Sequence, residues 1–175
     1  MKILAISPTY NEKKNINELI DKIFQLKINI DILIVDDNSP DGTANEVKKI
    51  MKSSSQVFLL ERDSKLGLGT AYCEGFKWAL DRNYDLIIQI DADLSHNPLD
   101  IPNLINKTKT ADLVIGSRYC NGVNVINWPI GRLILSYLAN FYARLLIQIP
   151  VMDLTGGFKC FKRDVIKSID LDKIK

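Results

Sequence analysis

Apolar residues along this chain come in short runs that alternate with stretches of helical spacing. Residues 2–7 form an apolar run that breaks at Pro8 and predicts a first strand. Over 15–26, Ile16, Leu19, Ile20, Ile23 and Phe24 share one side of a helix. Residues 31–35 read as a second strand, stopped by the turn-rich Asp36-Asp37-Asn38-Ser39-Pro40-Asp41-Gly42. Thr43 is placed to cap a helix over 44–52. Then come a strand over 56–60, a glycine-rich opening that becomes a helix over 67–81, and a strand over 85–90. A helix over 98–107 and a strand over 112–115 follow. Strands alternating with helices predict an α/β domain with a mostly parallel sheet, and right-handed crossovers bring its strand-to-helix loops to one edge.

Chemistry gathers at three of those strand ends. After the fourth strand stands Asp91-Ala92-Asp93. In extended backbone, residues i and i+2 point to the same side. Two carboxylates that close repel unless a cation lies between them or one is protonated. Ligands of open α/β sheets bind at this carboxyl edge. A hard cation, Mg²⁺ or Mn²⁺, would bridge the acids to a substrate phosphate. The other two ends are Pro8-Thr9-Tyr10-Asn11-Glu12 and Asp36-Asp37-Asn38-Ser39. Asp37 is able to accept hydrogen bonds from a base or ribose, and Tyr10 either stacks on a bound ring or closes the core. The loop 65–70 holds Gly67 and Gly69, but Tyr72 stands where a dinucleotide fingerprint needs its third glycine. It also follows the third strand, not the first. Its glycines either cradle a phosphate or let the loop run tightly under the helix.

Bulk properties remove several classes. A chain of 175 residues suits one domain, and 46% apolar with 25% charged residues is an ordinary globular balance. A net charge of +2 gives no footprint for nucleic acid. Cys73, Cys120 and Cys160 are scattered, which predicts free thiols in a reducing compartment. His96 is the single histidine, so neither a zinc site nor a Ser-His-Asp site is supported. The first eight residues are too soon broken to be a signal peptide. Composition turns apolar and aromatic after Gly122, so 1–122 reads as a nucleotide-binding half and 123–175 as an acceptor-side extension of the same domain.

Six segments, in order, resemble the family 2 inverting glycosyltransferases, and among them the dolichyl-phosphate (polyprenyl-phosphate) mannosyltransferases. They are 8–12 (PTYNE), 34–43 (IVDDNSPDGT), 65–75 (KLGLGTAYCEG), 89–98 (QIDADLSHNP), 116–119 (GSRY) and 154–161 (LTGGFKCF). The resemblance implies a Rossmann-like nucleotide-sugar-binding fold, a GDP-mannose donor and a Mg²⁺ or Mn²⁺ ion on its diphosphate. It implies donor-nucleoside contacts at Pro8, Tyr10, Glu12, Val35 and Asp37. It assigns the metal and diphosphate site to Asp91, Ala92 and Asp93, and a phosphate contact between donor and acceptor to Arg118. Where the family often has a metal-ligating Gln, this chain has the shorter Ser95. Relatives of this type continue past the TGGF-like motif into a basic loop over the donor phosphates, so the expectation is either a fragment or reduced activity.

Arg132, Ser136, Asn140, Arg144 and Gln148 recur every four residues within an otherwise apolar stretch. On a helix they form a slowly drifting polar stripe. Such an apolar amphipathic helix lies against lipid or under a partner subunit. Two arginines weigh against a full membrane span. Arg118, Arg132 and Ser136 are the expected holders of a lipid phosphate, since arginine suits bidentate phosphate binding. The expectation is mannosyl transfer from GDP-mannose to a dolichyl or polyprenyl phosphate at the cytoplasmic face of a membrane. The alternatives are glucosyl or other hexosyl transfer, or a truncated, non-catalytic nucleotide-sugar-binding module.

Overall fold

The computed structural model describes residues 1–117, 131, 142, 148, 153 and 156–174. The helix expected over 130–149 falls almost wholly outside them, and Arg118, Arg132 and Ser136 lie outside. The chain alternates β1 (Ile3–Thr9), α1 (Ile16–Phe24), β2 (Asp31–Asp36), α2 (Thr43–Met51), β3 (Val57–Glu61), α3 (Leu68–Asp81) and β4 (Leu86–Gln89). A 3₁₀ turn at Pro98–Asp100 leads into α4 (Ile101–Lys107), followed by β5 (Leu113–Ile115). After the undescribed stretch come β6 (Lys159–Lys162), α5 (Arg163–Lys167) and a 3₁₀ turn at Leu171–Lys173. No described helix is long and apolar enough to cross a membrane.

The described strands form one six-stranded sheet in the order β3-β2-β1-β4-β6-β5. β1, β2, β3 and β4 pair in parallel, as the alternation predicts. The sheet is mixed because β6 runs antiparallel to both β4 and β5. Entering from the opposite direction, β6 delivers the residues before it, Gly156 and Gly157, to the carboxyl edge of β4.

Strand residues alternate between two cores. Ile3, Ala5, Ile32, Ile34 and Ile88 meet α1, α2 and α4 through Leu19, Ile20, Val47 and Leu104. Leu4, Ile6, Leu33, Val35 and Ile87 meet α3 and α5 through Ala71, Phe76, Ala79 and Ile166. Burial on both faces accounts for the nearly unbroken apolar runs of β1 and β2. Gly75 lets α3 lie close: a Cβ there would stand 2.7 Å from Ile6 Cγ2.

Two local expectations are corrected. Thr43 does not cap α2. It is the first helical residue after Gly42, which takes the left-handed conformation at φ 87°. Thr43 instead donates from its amide (2.9 Å) and hydroxyl (2.6 Å) to Asp41 Oδ1. β1 also runs past Pro8, which pairs with Val35 of β2. Proline has no N–H to give, and its nitrogen faces β4. The last bond of that ladder is Ile90 N–H to the Ile6 carbonyl at 3.1 Å. The missing donor ends the ladder there and frees residues 91–93 to turn away.

Candidate active site at the carboxyl edge of the sheet

Three strand ends and the loop before α3 enclose a cavity of about 370 Å³. Pro8, Tyr10, Glu12, Asp37, Asp91, Ala92 and Asp93 line it, together with Thr9, Lys65, Gly67, Leu68 and Ala71. Val35 is not among them: its side chain is fully buried against α3. Ser95 is not a lining residue either, and stands behind Asp93. Its amide donates to Asp93 Oδ1 at 2.9 Å, and its hydroxyl lies 3.3 Å from His96 Nδ1. The two acids share the cavity through a turn at Ala92-Asp93 and not through strand alternation, because β4 has ended at Gln89. Leu94 completes that turn in the left-handed conformation at φ 58°. A branched aliphatic side chain rarely adopts it, and such strain is held only where surrounding packing demands it.

The loops after β1 and β2 are stitched together beneath the cavity. Asp36 is buried; its Oδ1 accepts from Thr9 Oγ1 at 2.8 Å and from the Ser39 hydroxyl at 2.6 Å. The Asn11 amide donates to Ser39 Oγ, and the Glu12 amide to Thr43 Oγ1, each at 3.0 Å. Tyr10 and Glu12 are thereby fixed at the cavity wall. Tyr10 is 37% exposed, and Lys65 Nζ sits 4.0 Å above its ring centroid, a cation–π contact across the cavity mouth.

Asp37 has a partner the sequence reading missed. Arg62 Nη1 lies 2.6 Å from Asp37 Oδ1, with the two side chains only 2% and 8% exposed. The same guanidinium donates to Thr70 Oγ1 at 2.7 Å, to Glu74 Oε1 at 3.0 Å and to the Gly67 carbonyl at 3.3 Å. One arginine thus ties the end of β2 to the glycine loop and the first turns of α3. The available signal was its position, directly after the apolar run of β3 and so on the same edge. Lys159 at the start of β6 is a second missed cation. Burial lowers its ammonium pKa, while Asp153 and Asp91 nearby act to raise it.

The cavity is electronegative. Burial raises the Glu12 carboxyl above its ordinary range; a hydrogen bond from Asn15 acts against this, and the charges of Asp93, Asp41 and Asp91 raise it further. Burial also pushes the Tyr72 phenol well above its usual value, helped by the charge of Asp91, so it stays protonated and donates to Asp91 Oδ1 at 3.0 Å. On the far side, a Cβ added to Gly157 would overlap the Asp91 carboxylate. Among the described residues no group of three His, Cys, Asp or Glu closes on one point to form a complete metal cage. Two carboxylates beside a diphosphate-sized space are a different donor set. They fit a hard divalent ion that completes its shell with substrate phosphates and water.

A family-wide sequence profile described as "Glycosyl transferase family 2" matches residues 5–170. The undecaprenyl-phosphate mannosyltransferase of Micrococcus luteus is 39% identical over 175 residues, all of this chain and 72% of that protein. The polyprenol monophosphomannose synthase of Mycolicibacterium smegmatis is 40% identical over 173 residues, 98% of this chain and 65% of that protein. In fold, the chain is similar to the mannosyltransferase PcManGT from Pyrobaculum calidifontis, solved in complex with GDP-Man and Mn²⁺. That likeness has a TM-score of 0.65 at 20% identity and covers 97% of this chain and 46% of that one. The fold is likewise similar to S. aureus TarS 1–349 in complex with UDP-GlcNAc, with a TM-score of 0.65 at 20% identity over 96% of this chain and 47% of that one. The chain therefore spans 72% and 65% of these two relatives and under half of either solved chain. With a family profile matched over nearly its whole length, this chain belongs to glycosyl transferase family 2.

Proposed function

We propose that this chain transfers mannose from GDP-mannose to a polyprenyl phosphate of the dolichyl or undecaprenyl kind, with inversion and with Mg²⁺ or Mn²⁺. The observation that carries the reading is the acid-lined cavity in which Asp91, Asp93 and Glu12 face Tyr10 and the Arg62-bound Asp37. The names of the two mannosyltransferase relatives support the sugar and the lipid phosphate. The GDP-Man and Mn²⁺ held by PcManGT support the donor and the ion.

In this reading Asp37 accepts hydrogen bonds from the nucleoside while Arg62 holds its other oxygen. Tyr10 stacks on the base once Lys65 swings aside, and Pro8 and Glu12 form the wall behind it. Asp91 and Asp93 are the residues that would hold a divalent ion on the donor side of the cavity, and the Ser95 amide fixes Asp93. When bound, the ion neutralises the acids and stabilises the charge of the departing nucleoside diphosphate. An acceptor phosphate oxygen attacks the anomeric carbon in line, that bond forms as the bond to the diphosphate oxygen breaks, and the configuration inverts. The acceptor is already anionic near neutral pH, so no general base is assigned; positioning supplies most of the rate. Arg118, Arg132 and Ser136 are proposed to hold the acceptor phosphate. A lipid acceptor would put the reaction at a membrane surface, and the face we propose is the cytoplasmic one.

The test is transfer of label from radiolabelled GDP-mannose to a short polyprenyl phosphate, with Mn²⁺ and with chelator. Metal-dependent label in the lipid extract is the expected result. Transfer only from another nucleotide sugar would change the assigned sugar, and no transfer from any donor would overturn the reading.

A further inference from the structure

Asp91 is gripped on two sides by residues to which no role has been assigned. Tyr72 stands one turn into α3, is buried, and donates its hydroxyl to Asp91 Oδ1 at 3.0 Å. At the other carboxylate oxygen, the bare Cα of Gly157 packs so closely that a methyl group would overlap Oδ2. These residues lie 19 positions before and 66 positions after Asp91 in the sequence, on different elements. An unrestrained Asp91 would swing away from Asp93 and Glu12, because three carboxylates round one cavity repel one another. A carboxylate oxygen has two accepting sites, so the bond from Tyr72 leaves capacity for a cation.

The geometry points to Tyr72 and Gly157 as positioning residues that hold the Asp91 carboxylate ready for the divalent ion. This rests on the metal-dependent reading given above. Residues that orient a ligating group in this manner typically change metal affinity about 10–100-fold when lost.

The measurement is Mn²⁺ binding by the whole chain in the presence of saturating GDP, with free Mn²⁺ read by its electron paramagnetic resonance signal. Tyr72→Phe removes one hydroxyl and is expected to weaken Mn²⁺ about tenfold. Tyr84→Phe is the control. It loses another tyrosine hydroxyl bond, 2.7 Å to Asp31 Oδ2 at the opposite edge of the sheet, and is expected to bind Mn²⁺ as the parent does. Gly157→Ala is expected to weaken Mn²⁺ as Tyr72→Phe does. In an Asp91→Asn background, Tyr72→Phe is expected to change nothing further, since the two act as one unit. Unaltered Mn²⁺ affinity in Tyr72→Phe, with binding lost in Asp91→Asn, overturns the positioning role and leaves the metal reading standing. An equal loss in Tyr84→Phe also overturns it, as a generic packing effect. Absence of Mn²⁺ binding by the parent protein sinks the metal reading and this inference together.

Discussion

Asp36 and Asp37 are neighbours in the chain and face different surroundings. Asp36 turns inward to brace the loops after β1 and β2; Asp37 lines the cavity and is matched by Arg62. The sequence singles out Asp37 as the acid that faces a ligand, and the cavity lining agrees; the inward, bracing role of Asp36 is not legible, because it depends on where strand pleating ends. Arg62 carries a direct prediction. Removing one partner of a buried ion pair leaves an uncompensated charge, worth about 3–5 kcal/mol. Arg62→Met should therefore lower unfolding stability by about that much in denaturant titrations. Pairing it with Asp37→Leu should restore part of the loss and, on the role proposed for Asp37, abolish GDP affinity.

Among the elements, α3 depends on how closely it can approach the sheet. Gly75 faces Ile6 and Val35, both fully buried, so Gly75→Ala should overpack the contact and cost about 1–3 kcal/mol, read as a lower denaturation midpoint at unchanged slope. The framework of alternating strands and helices is legible in the sequence, since each strand is an apolar run and α1 shows a clear helical period. The mixed sheet is not. β6 is four residues, Lys-Cys-Phe-Lys, with only its middle pair fully buried, and its antiparallel insertion comes from the path of the chain and not from local pattern. The acid pair and its meeting with the other strand ends at one edge are legible in the sequence. The local geometry is not: the acids meet through a turn and not through strand alternation, and Pro8 makes that turn possible by withholding a hydrogen bond.

For the molecule as a whole, one sheet buries thiols as well as hydrocarbons. Cys160 is fully enclosed and burial pushes its thiol up to about 12. A raised value means the folded state favours the protonated thiol. That contribution is complete below the unfolded thiol's value of about 8.5 and is lost as pH climbs towards the folded value. With Cys73 and Cys120 replaced by serine, native protein at pH 8 should resist a thiol reagent, and denaturant should expose one reactive group per chain. Rapid labelling of folded protein would contradict the enclosure of β6. The late arrival of that strand also bears on biosynthesis. Until Lys162 has left the ribosome, β4 is an edge strand and β5, which pairs with β6 alone among the described strands, has no neighbour in the sheet, so their unsatisfied backbone edges are open to pairing with other chains. A nascent polypeptide halted before Lys159 should be the species most prone to aggregate and the one most in need of a chaperone.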